Sequence, residues 1–131
     1  MAAEGPKDTV RRWIAARNAN DLEAAVACWA EDQQEEIRRA FAAFTAAFAD
    51  IRIEPEVLLA ERDRVALRWT FRGTHRGEYL GIPATGAAVT WTGTDLYTVA
   101  GDRLADLVRE ADRLSLLERF GVGPPTPARG T

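Results

Sequence analysis

The apolar positions along this chain of 131 residues change their spacing near residue 50. Before that point they recur every three or four residues, which is the period of an amphipathic helix. Three segments share this spacing, with apolar stripes at Val10, Trp13 and Ile14, then at Leu22, Val26 and Trp29, then at Ile37, Phe41, Phe44 and Phe48. The pattern predicts three helices in the first part of the chain.

After residue 50 the apolar positions alternate with polar ones, and β-branched and aromatic residues replace alanine. The run "VALRWTFRG" alternates in this way, which is typical of a half-buried antiparallel strand. The runs "AVTWTGTDLYTV" and "LADLVREAD" predict a hairpin closed at Gly101 and Asp102. Pro55 indicates that the first strand is an edge strand or carries a bulge. The segment "RLSLLERFG" then predicts a short final helix.

Helices followed by a curved antiparallel or mixed sheet describe an α+β layer fold, in which the helices cover one sheet face. A curved sheet wrapped over a long helix forms a cone, and its wide end is a natural apolar pocket. The aromatic residues are the candidates for lining that pocket: Trp13, Phe41, Phe44, Trp69, Trp91 and Tyr97. The alternative is that these rings simply fill the core.

Composition narrows the possible functions. The length fits one domain, assigned to residues 1–122, followed by a Pro- and Gly-rich tail at 123–131. The net charge is −3 with no basic stripe, so nucleic acid and anionic membranes are not expected partners. No signal region and no uncharged run of about 20 residues is present, which predicts a cytoplasmic protein. The single cysteine, Cys28, is expected to be buried, and we expect neither a metal nor a cofactor.

The segment "GTHRGEYLGIPATG" lies between two predicted strands and holds the only histidine, His75. Imidazole titrates near neutral pH, so His75 is a candidate catalytic residue. The alternative is a structural hydrogen bond that fixes the loop. The apolar loop residues, Tyr79 among them with Leu80, Ile82 and Pro83, are expected to cover the mouth of the cone, and the glycines let the backbone bend there.

This loop, with the following "AAVTWTG", and the ending "GDRLADLVREADRLSLLERFGV" resemble the SnoaL-like polyketide cyclases of the NTF2-like superfamily over about residues 7–122. The resemblance implies a cone-shaped α+β fold and a cofactor-free enzyme that closes or isomerises a ring in a polyketide-type small molecule. The segment between the second and third helices is shorter than in the family, so polar pocket residues usually supplied there are missing.

Asp112 matches the aspartate that ends the last strand of these cyclases, where the resemblance implies a general acid/base for aldol ring closure. A carboxylate among apolar side chains has a raised pKa and is a stronger base. Glu110 is expected to share its strand face and to line the pocket. The alternative is that Asp112 caps the final helix, and the two roles are compatible.

Two other classes of function stay open. The second class is an epoxide or ester hydrolase that uses Arg68 with two acids, Asp95 and Asp112. It requires the strand face of Arg68 and Thr70 to point inward, although the apolar alternation favours an outward face. Asp95 and Tyr97 are also candidate substrate contacts. The third class is a non-catalytic ligand-binding or dimerisation module, because fold alone does not specify function. An isolated inward carboxylate would favour the cyclase, and an arginine with two acids the hydrolase. A homodimer through outward-facing aromatic residues of the strands is expected.

Overall fold

The computed structural model describes residues 5–121. It begins with α1 (Pro6–Asn18), α2 (Leu22–Ala27), a 3-10 turn (Glu31–Gln33) and α3 (Gln34–Ala47), and continues with β1 (Phe48–Glu61), β2 (Arg64–His75), β3 (Ala88–Ala100), β4 (Arg103–Ala111) and α4 (Arg113–Arg119). The α+β prediction is confirmed. The tail predicted at 123–131 lies outside the described residues, so the domain boundary stays a prediction.

The four strands form one sheet in the order β1-β2-β3-β4, and every pairing between them is antiparallel. A single parallel bridge joins Trp29, in the short connection between α2 and α3, to Leu104. There the Leu104 N–H donates to the Cys28 carbonyl at 2.7 Å, and the Ala30 N–H donates to the Leu104 carbonyl at 2.8 Å. From residue 5 to the start of α3, this bridge is the only strand pairing.

The features predicted for β1 are confirmed. It is an edge strand, and its register against β2 shifts between Pro55 and Val57. Proline has no backbone N–H to donate to a ladder, so it is tolerated where the pairing is interrupted. Phe48, which the helical pattern assigned to the third helix, instead begins β1 and is buried.

The helices cover the inner face of the sheet, and the core lies between them. α1 contributes Val10, Trp13 and Ile14, while β2 contributes Leu67, Trp69 and Phe71. The apolar stripe of α3 is only partly covered, because Ile37, Phe41 and Phe44 are half-buried against the core. An amphipathic helix whose apolar face is not fully packed leaves space beneath it, and Phe44 lines two cavities there.

A bulge in β4 determines which of its side chains face the helices. Thr98 pairs with Asp106 but Val99 pairs with Leu104, so Ala105 is one extra residue on this strand. Because side chains alternate along a strand, one extra residue moves all later side chains to the opposite face. Beyond the bulge, Arg109 therefore faces the helices. Within residues 5–121, no helix has the length and apolarity to span a bilayer.

Candidate functional site

Two cavities lie between the helices and the inner sheet face. The first, here called the sheet cavity, has a volume of about 50 Å³ and is lined mainly by the inner strand positions with α4: Ile14, Arg17, Phe44, Ile53, Trp69, Phe71, Tyr79, Trp91, Asp95, Arg109, Ala111, Arg113 and Leu116. The second, the helix cavity, has about 140 Å³ and lies under α3: Trp13, Arg17, Trp29, Ile37, Ala40, Phe41, Phe44, Thr45, Ile51, Leu107 and Arg109. Arg17, Phe44 and Arg109 line both cavities and form the wall between them.

Asp95 is the polar centre of the sheet cavity. Its side chain is 1% exposed and accepts four hydrogen bonds, two on each carboxylate oxygen. Oδ1 accepts from Trp69 Nε1 at 2.9 Å and from Arg109 Nε at 2.7 Å. Oδ2 accepts from Tyr97 Oη at 2.7 Å and from Arg109 Nη2 at 2.9 Å. A buried carboxylate is stable only when hydrogen bonds and an opposite charge compensate for the water it has lost. The four hydrogen bonds and the Arg109 charge provide this compensation for Asp95.

The register of the sheet brings these groups together. Asp95 pairs with Leu67 on β2 and with Arg109 on β4, and all three face the helices. Trp69 pairs with Gly93, where an added Cβ would overlap the indole ring. Glycine at position 93 leaves the space that the Trp69 ring occupies. From this position the indole N–H reaches Asp95.

Burial and neighbouring charges shift the pKa values of Arg109 and Tyr97 in this network. Burial alone lowers the pKa of Arg109, but the hydrogen bonds and charge of Asp95 outweigh burial and raise it above its ordinary value. Burial, followed by the Asp95 charge, raises the pKa of the Tyr97 phenol. Tyr97 also accepts from Trp13 Nε1 at 3.2 Å, so its oxygen joins α1 to the network. With these raised pKa values, Arg109 stays charged and the Tyr97 phenol stays neutral at neutral pH.

Arg17 is the second guanidinium at the cavities. Its carbon Cζ lies 5.2 Å from the ring centre of Trp13 and 5.3 Å from that of Phe44. Burial, and then the positive charge of Arg109, lower the pKa of Arg17 to about 10. No described residue accepts a hydrogen bond from its guanidinium, so within residues 5–121 its polar edge is not satisfied by the protein.

The aromatic residues expected at the pocket divide between the two cavities. Trp13 and Phe41 line the helix cavity, Phe44 lines both, and Trp69, Tyr79 and Trp91 line the sheet cavity. Tyr97 lines neither, because it is fully buried behind Asp95. The expectation that the loop covers the cone mouth is met by Tyr79 alone: Leu80 is exposed, and Ile82 pairs with Tyr79 across the loop.

The surroundings expected for Asp112 and Glu110 are wrong. Asp112 caps α4: its carboxylate is exposed and accepts from Ser115 N at 3.1 Å and Ser115 Oγ at 2.8 Å. Those bonds lower its pKa, whereas the apolar surroundings expected from the sequence would raise it. Glu110 pairs with Thr94 on the outer, exposed face of the sheet. The helix-capping alternative is the one the structure contains, and neither carboxylate lines either cavity.

His75 is fully buried but lies away from both cavities. Its ring stacks on Phe120 with centroids 3.9 Å apart, and its Nδ1 accepts from the Thr85 backbone N at 3.3 Å. The Thr85 hydroxyl lies 2.9 Å from the same nitrogen. These contacts join the end of β2 to the end of the loop that the motif predicted. The geometry fits the structural alternative rather than the catalytic one.

The residues expected for a hydrolase do not lie together in the structure. Arg68 is exposed on the outer face, where it donates to Thr92 Oγ1 at 3.1 Å, and Thr70 on that face donates to Glu56. Asp95 faces the interior on the opposite side of the sheet. The outward alternative is therefore confirmed for Arg68, and an arginine with two acids is absent from the cavities in the described residues.

Arg17 and Arg109 were not identified from the sequence as site residues, although each left a signal. Arg17 follows Val10, Trp13 and Ile14 at the next turn of α1 and so places a charge on the apolar stripe. Arg109 follows half-buried Leu107 by two residues. Between residues 5 and 121, no group of three or more His, Cys, Asp or Glu side chains could hold a metal ion.

Comparison with known proteins agrees with this architecture. AclR of Streptomyces galilaeus, described as a candidate hydroxylase, is 27% identical, with a TM-score of 0.82 over 94% of this chain and 85% of that one. TsrD of Streptomyces laurentii is 23% identical, with a TM-score of 0.84 over 92% and 98%. IdmH of Streptomyces antibioticus, a candidate polyketide cyclase, is 24% identical, with a TM-score of 0.79 over 91% and 100%.

No curated protein matches the sequence significantly. The family model of the SnoaL-like polyketide cyclases matches residues 7–119, which include both cavities and the Asp95 network. With its helices and four-stranded antiparallel sheet, this chain belongs to the SnoaL-like polyketide cyclase family.

Proposed function

We propose that this chain is a cofactor-free enzyme that closes a ring in a polyketide-type small molecule, with Asp95 and Arg109 rather than Asp112 at the reacting centre. The main support for this proposal is that Asp95 is the one carboxylate lining either cavity in the described part of the chain. Membership of the SnoaL-like polyketide cyclase family supports the cyclase role.

The proposed reaction is an intramolecular aldol closure. A base removes the proton from a carbon between two carbonyls, the resulting enolate carbon attacks a third carbonyl of the same chain, and the new alkoxide takes up a proton. One C–C bond forms, one proton moves from carbon to oxygen, and no electron acceptor is needed. A carboxylate can serve as both base and acid in such a cycle. The aromatic walls hold the chain folded, which lowers the entropic part of the barrier.

The hydrogen bonds of Asp95 define what each group contributes. All four acceptor positions of the carboxylate are occupied, so Asp95 accepts a proton only after one donor moves away. Arg109 uses Nε and Nη2 for Asp95, which leaves Nη1 outside that pairing at the cavity wall. In the proposed cycle that edge of the guanidinium stabilises the enolate oxygen.

Substrate binding requires the wall between the cavities to move. Pockets for small molecules measure about 300–1,000 Å³, whereas the cavities here measure about 50 and 140 Å³. Phe44 is half-buried on α3, and its displacement would join the two spaces. A cavity that stayed closed would instead favour the non-catalytic module.

The decisive experiment compares Asp95→Asn with Asp112→Asn. Each variant removes one negative charge with little change of shape, and asparagine is also a good helix cap. Wild type and variants are incubated with a panel of linear poly-β-ketone thioesters, and cyclised products are measured by mass spectrometry. We expect Asp95→Asn to lose turnover and Asp112→Asn to retain it.

Folding is checked by circular dichroism and thermal melting, because Asp95→Asn leaves Arg109 without its ionic partner. Should that variant fail to fold, Arg109→Met provides the second test, since Asp95 then keeps the donors from Trp69 and Tyr97. Loss of turnover in Asp112→Asn alone would return the acid/base role to Asp112. Full activity in both variants would indicate ring closure driven by shape.

The expectation of outward strand aromatics is wrong, because Trp69, Phe71, Trp91 and Tyr97 are buried in the core. We propose instead a homodimer through aliphatic residues of the outer sheet face. Leu59, Ala66, Leu96 and Val108 are cross-strand partners and form one apolar row across all four strands. The rows on either side each carry an arginine on β2 and an acid on β4: Arg64 with Asp106, and Arg68 with Glu110. A two-fold axis through the apolar row would bring arginines of one copy near acids of the other. A cytoplasmic location is retained as an expectation.

A further inference from the structure

The guanidinium of Arg17 is held in place by rings rather than by hydrogen bonds. It lies over Trp13 on its own helix and over Phe44 on α3, with centroid distances of 5.2 and 5.3 Å. In the described part of the chain no carboxylate, carbonyl or hydroxyl accepts from it. Aromatic faces attract the charge of a cation but leave its N–H groups without acceptors.

The charges around the two cavities do not balance. Arg17 and Arg109 line both cavities, Arg113 lines the sheet cavity, and Asp95 is the only acid lining either one in residues 5–121. All four acceptor positions of Asp95 are filled by Arg109, Trp69 and Tyr97. Arg17 therefore adds a positive charge that no wall residue neutralises. A half-buried charge without a partner is costly and is a common mark of a binding site.

A second polar group at the helix cavity also lacks a partner. Trp29 lines that cavity, its side chain is 2% exposed, and its indole N–H makes no hydrogen bond to any residue from 5 to 121. Trp29 packs edge-on against Trp13, which carries Arg17 on its face. Unpaired buried donors cost stability unless a ligand satisfies them. Neither the Trp29 indole N–H nor the Arg17 guanidinium can accept a hydrogen bond, so neither side chain would favour a donor group in the ligand.

We infer that the helix cavity binds a negatively charged oxygen group, a carboxylate or an enolate, carried by an unsaturated ring or chain, with Arg17 as its counter-ion. This inference rests on the proposed function and specifies the substrate class: an acidic molecule rather than a neutral ester. Trp13, Trp29 and Phe41 form the apolar walls. The volume of about 140 Å³ fits one ring, since a cavity of about 150 Å³ holds benzene.

The test measures binding without turnover, so it does not depend on the ring-closing activity. Two matched probe pairs are titrated against the protein by ligand-observed NMR at about pH 7.5. Benzoate is compared with benzamide, and dimedone, which is an enolate at this pH, with its neutral methyl enol ether. The first pair reports on a permanent carboxylate and the second on an enolate oxygen. The variants are Arg17→Met, Arg17→Lys and, as a control of equal charge change, Arg39→Met on the exposed side of α3.

We expect at least one anion to bind wild type about tenfold more tightly than its neutral partner, as charge-assisted hydrogen bonds allow. Arg17→Met should abolish that preference, Arg17→Lys should keep part of it, and Arg39→Met should keep all of it. Preference for benzoate alone identifies a carboxylate, and preference for dimedone alone identifies an enolate.

Equal binding of anion and neutral partner, an unchanged preference in Arg17→Met, or no binding of any probe by folded wild type would each overturn the inference. Loss of turnover in every ring-closure assay would leave these binding results unaffected, so the two proposals fail separately. Met replaces the arginine stem with a chain of similar length and removes a charge, so we expect Arg17→Met to fold.

Discussion

Gly93 and Trp69 face each other across β3 and β2, and the Trp69 indole fills the space that a side chain at position 93 would occupy. The same indole donates to Asp95 at 2.9 Å. The absence of a side chain on one strand therefore fixes the orientation of a hydrogen-bond donor on the next. Arg109 lies over the same Trp69 ring, with Cζ 5.5 Å from the ring centre, so the space left by Gly93 positions a ring that contacts both Asp95 and Arg109.

Gly93→Ala should destabilise the protein by about 2 kcal/mol, because the new methyl overlaps Trp69 and approaches the Glu110 carbonyl at 2.8 Å. Urea unfolding followed by fluorescence measures the change. Proposed ring-closing activity should fall as well, since a displaced indole no longer holds Asp95.

The double variant Gly93→Ala with Trp69→Phe tests whether the overlap with Trp69 causes this destabilisation. Phenylalanine lacks the part of the indole that the methyl meets, so the alanine should cost less in this background. We expect a coupling free energy of about 1 kcal/mol between the two positions. Additive effects would contradict the steric account.

The bulge at Ala105 explains why the sequence predicted the fold correctly but predicted the wrong acids at the cavity. Periodicity is a local property, and it correctly indicated the helices, the strands, the irregularity at Pro55 and the hairpin at Gly101. The face of a β4 residue depends on every position before it. Counting by two from buried Leu104 puts Glu110 and Asp112 inside, and one extra residue reverses that result.

A different reason explains why the sequence did not identify Arg17 as a cavity residue. A charge on an apolar stripe, as with Arg17 on α1, is compatible with a side chain that reaches out to solvent or one that turns into a cavity. Only the packing of Phe44 on α3 against the same guanidinium distinguishes these cases. That contact joins residues of two separate helices, which periodicity within either one does not reveal.

Asp112 should act through the stability of α4, with a dependence on pH. Its folded-state pKa lies below the ordinary value of 3.8 because Ser115 donates to the charged carboxylate. The stabilisation is therefore fully present above that ordinary value and is lost as pH falls through the lower, folded-state pKa. Asp112→Ala should melt at a lower temperature than wild type at about pH 7, and Asp112→Asn should lie between them.

Thermal melts from about pH 7 to about pH 2 measure this effect. The advantage of wild type over Asp112→Asn should shrink only at the acidic end, because asparagine caps without a charge. An advantage that is independent of pH would mean that the carboxylate charge does not contribute.

Arg17→Met should raise the stability of the ligand-free protein. The substitution removes a half-buried charge that no described acid neutralises, and it keeps apolar contact with Trp13 and Phe44. The loss of two cation–π contacts opposes the gain, so the expected net increase in the free energy of unfolding is about 1 kcal/mol. Arg39→Met should change it by less than about 0.5 kcal/mol. A destabilised Arg17→Met would show that the arginine has a structural role.

Val108→Glu should convert the proposed dimer into a monomer. Leu59, Leu96 and Val108 are 63%, 39% and 56% exposed within one cross-strand row, an apolar surface that a second copy would cover. A glutamate at position 108 would stand between Asp106 and Glu110 on the same face of β4, so dimer formation would bury a charge beside two like charges. Light scattering after size-exclusion chromatography measures the mass.

Leu80→Glu is the matched control, because Leu80 is 48% exposed but lies on the loop away from the row. We expect wild type and Leu80→Glu to have twice the mass of the chain and Val108→Glu to have the mass of one. Dimers in all three would place the interface elsewhere. A monomeric wild type at micromolar concentration would rule the dimer out, and the apolar row would then be open to a different partner.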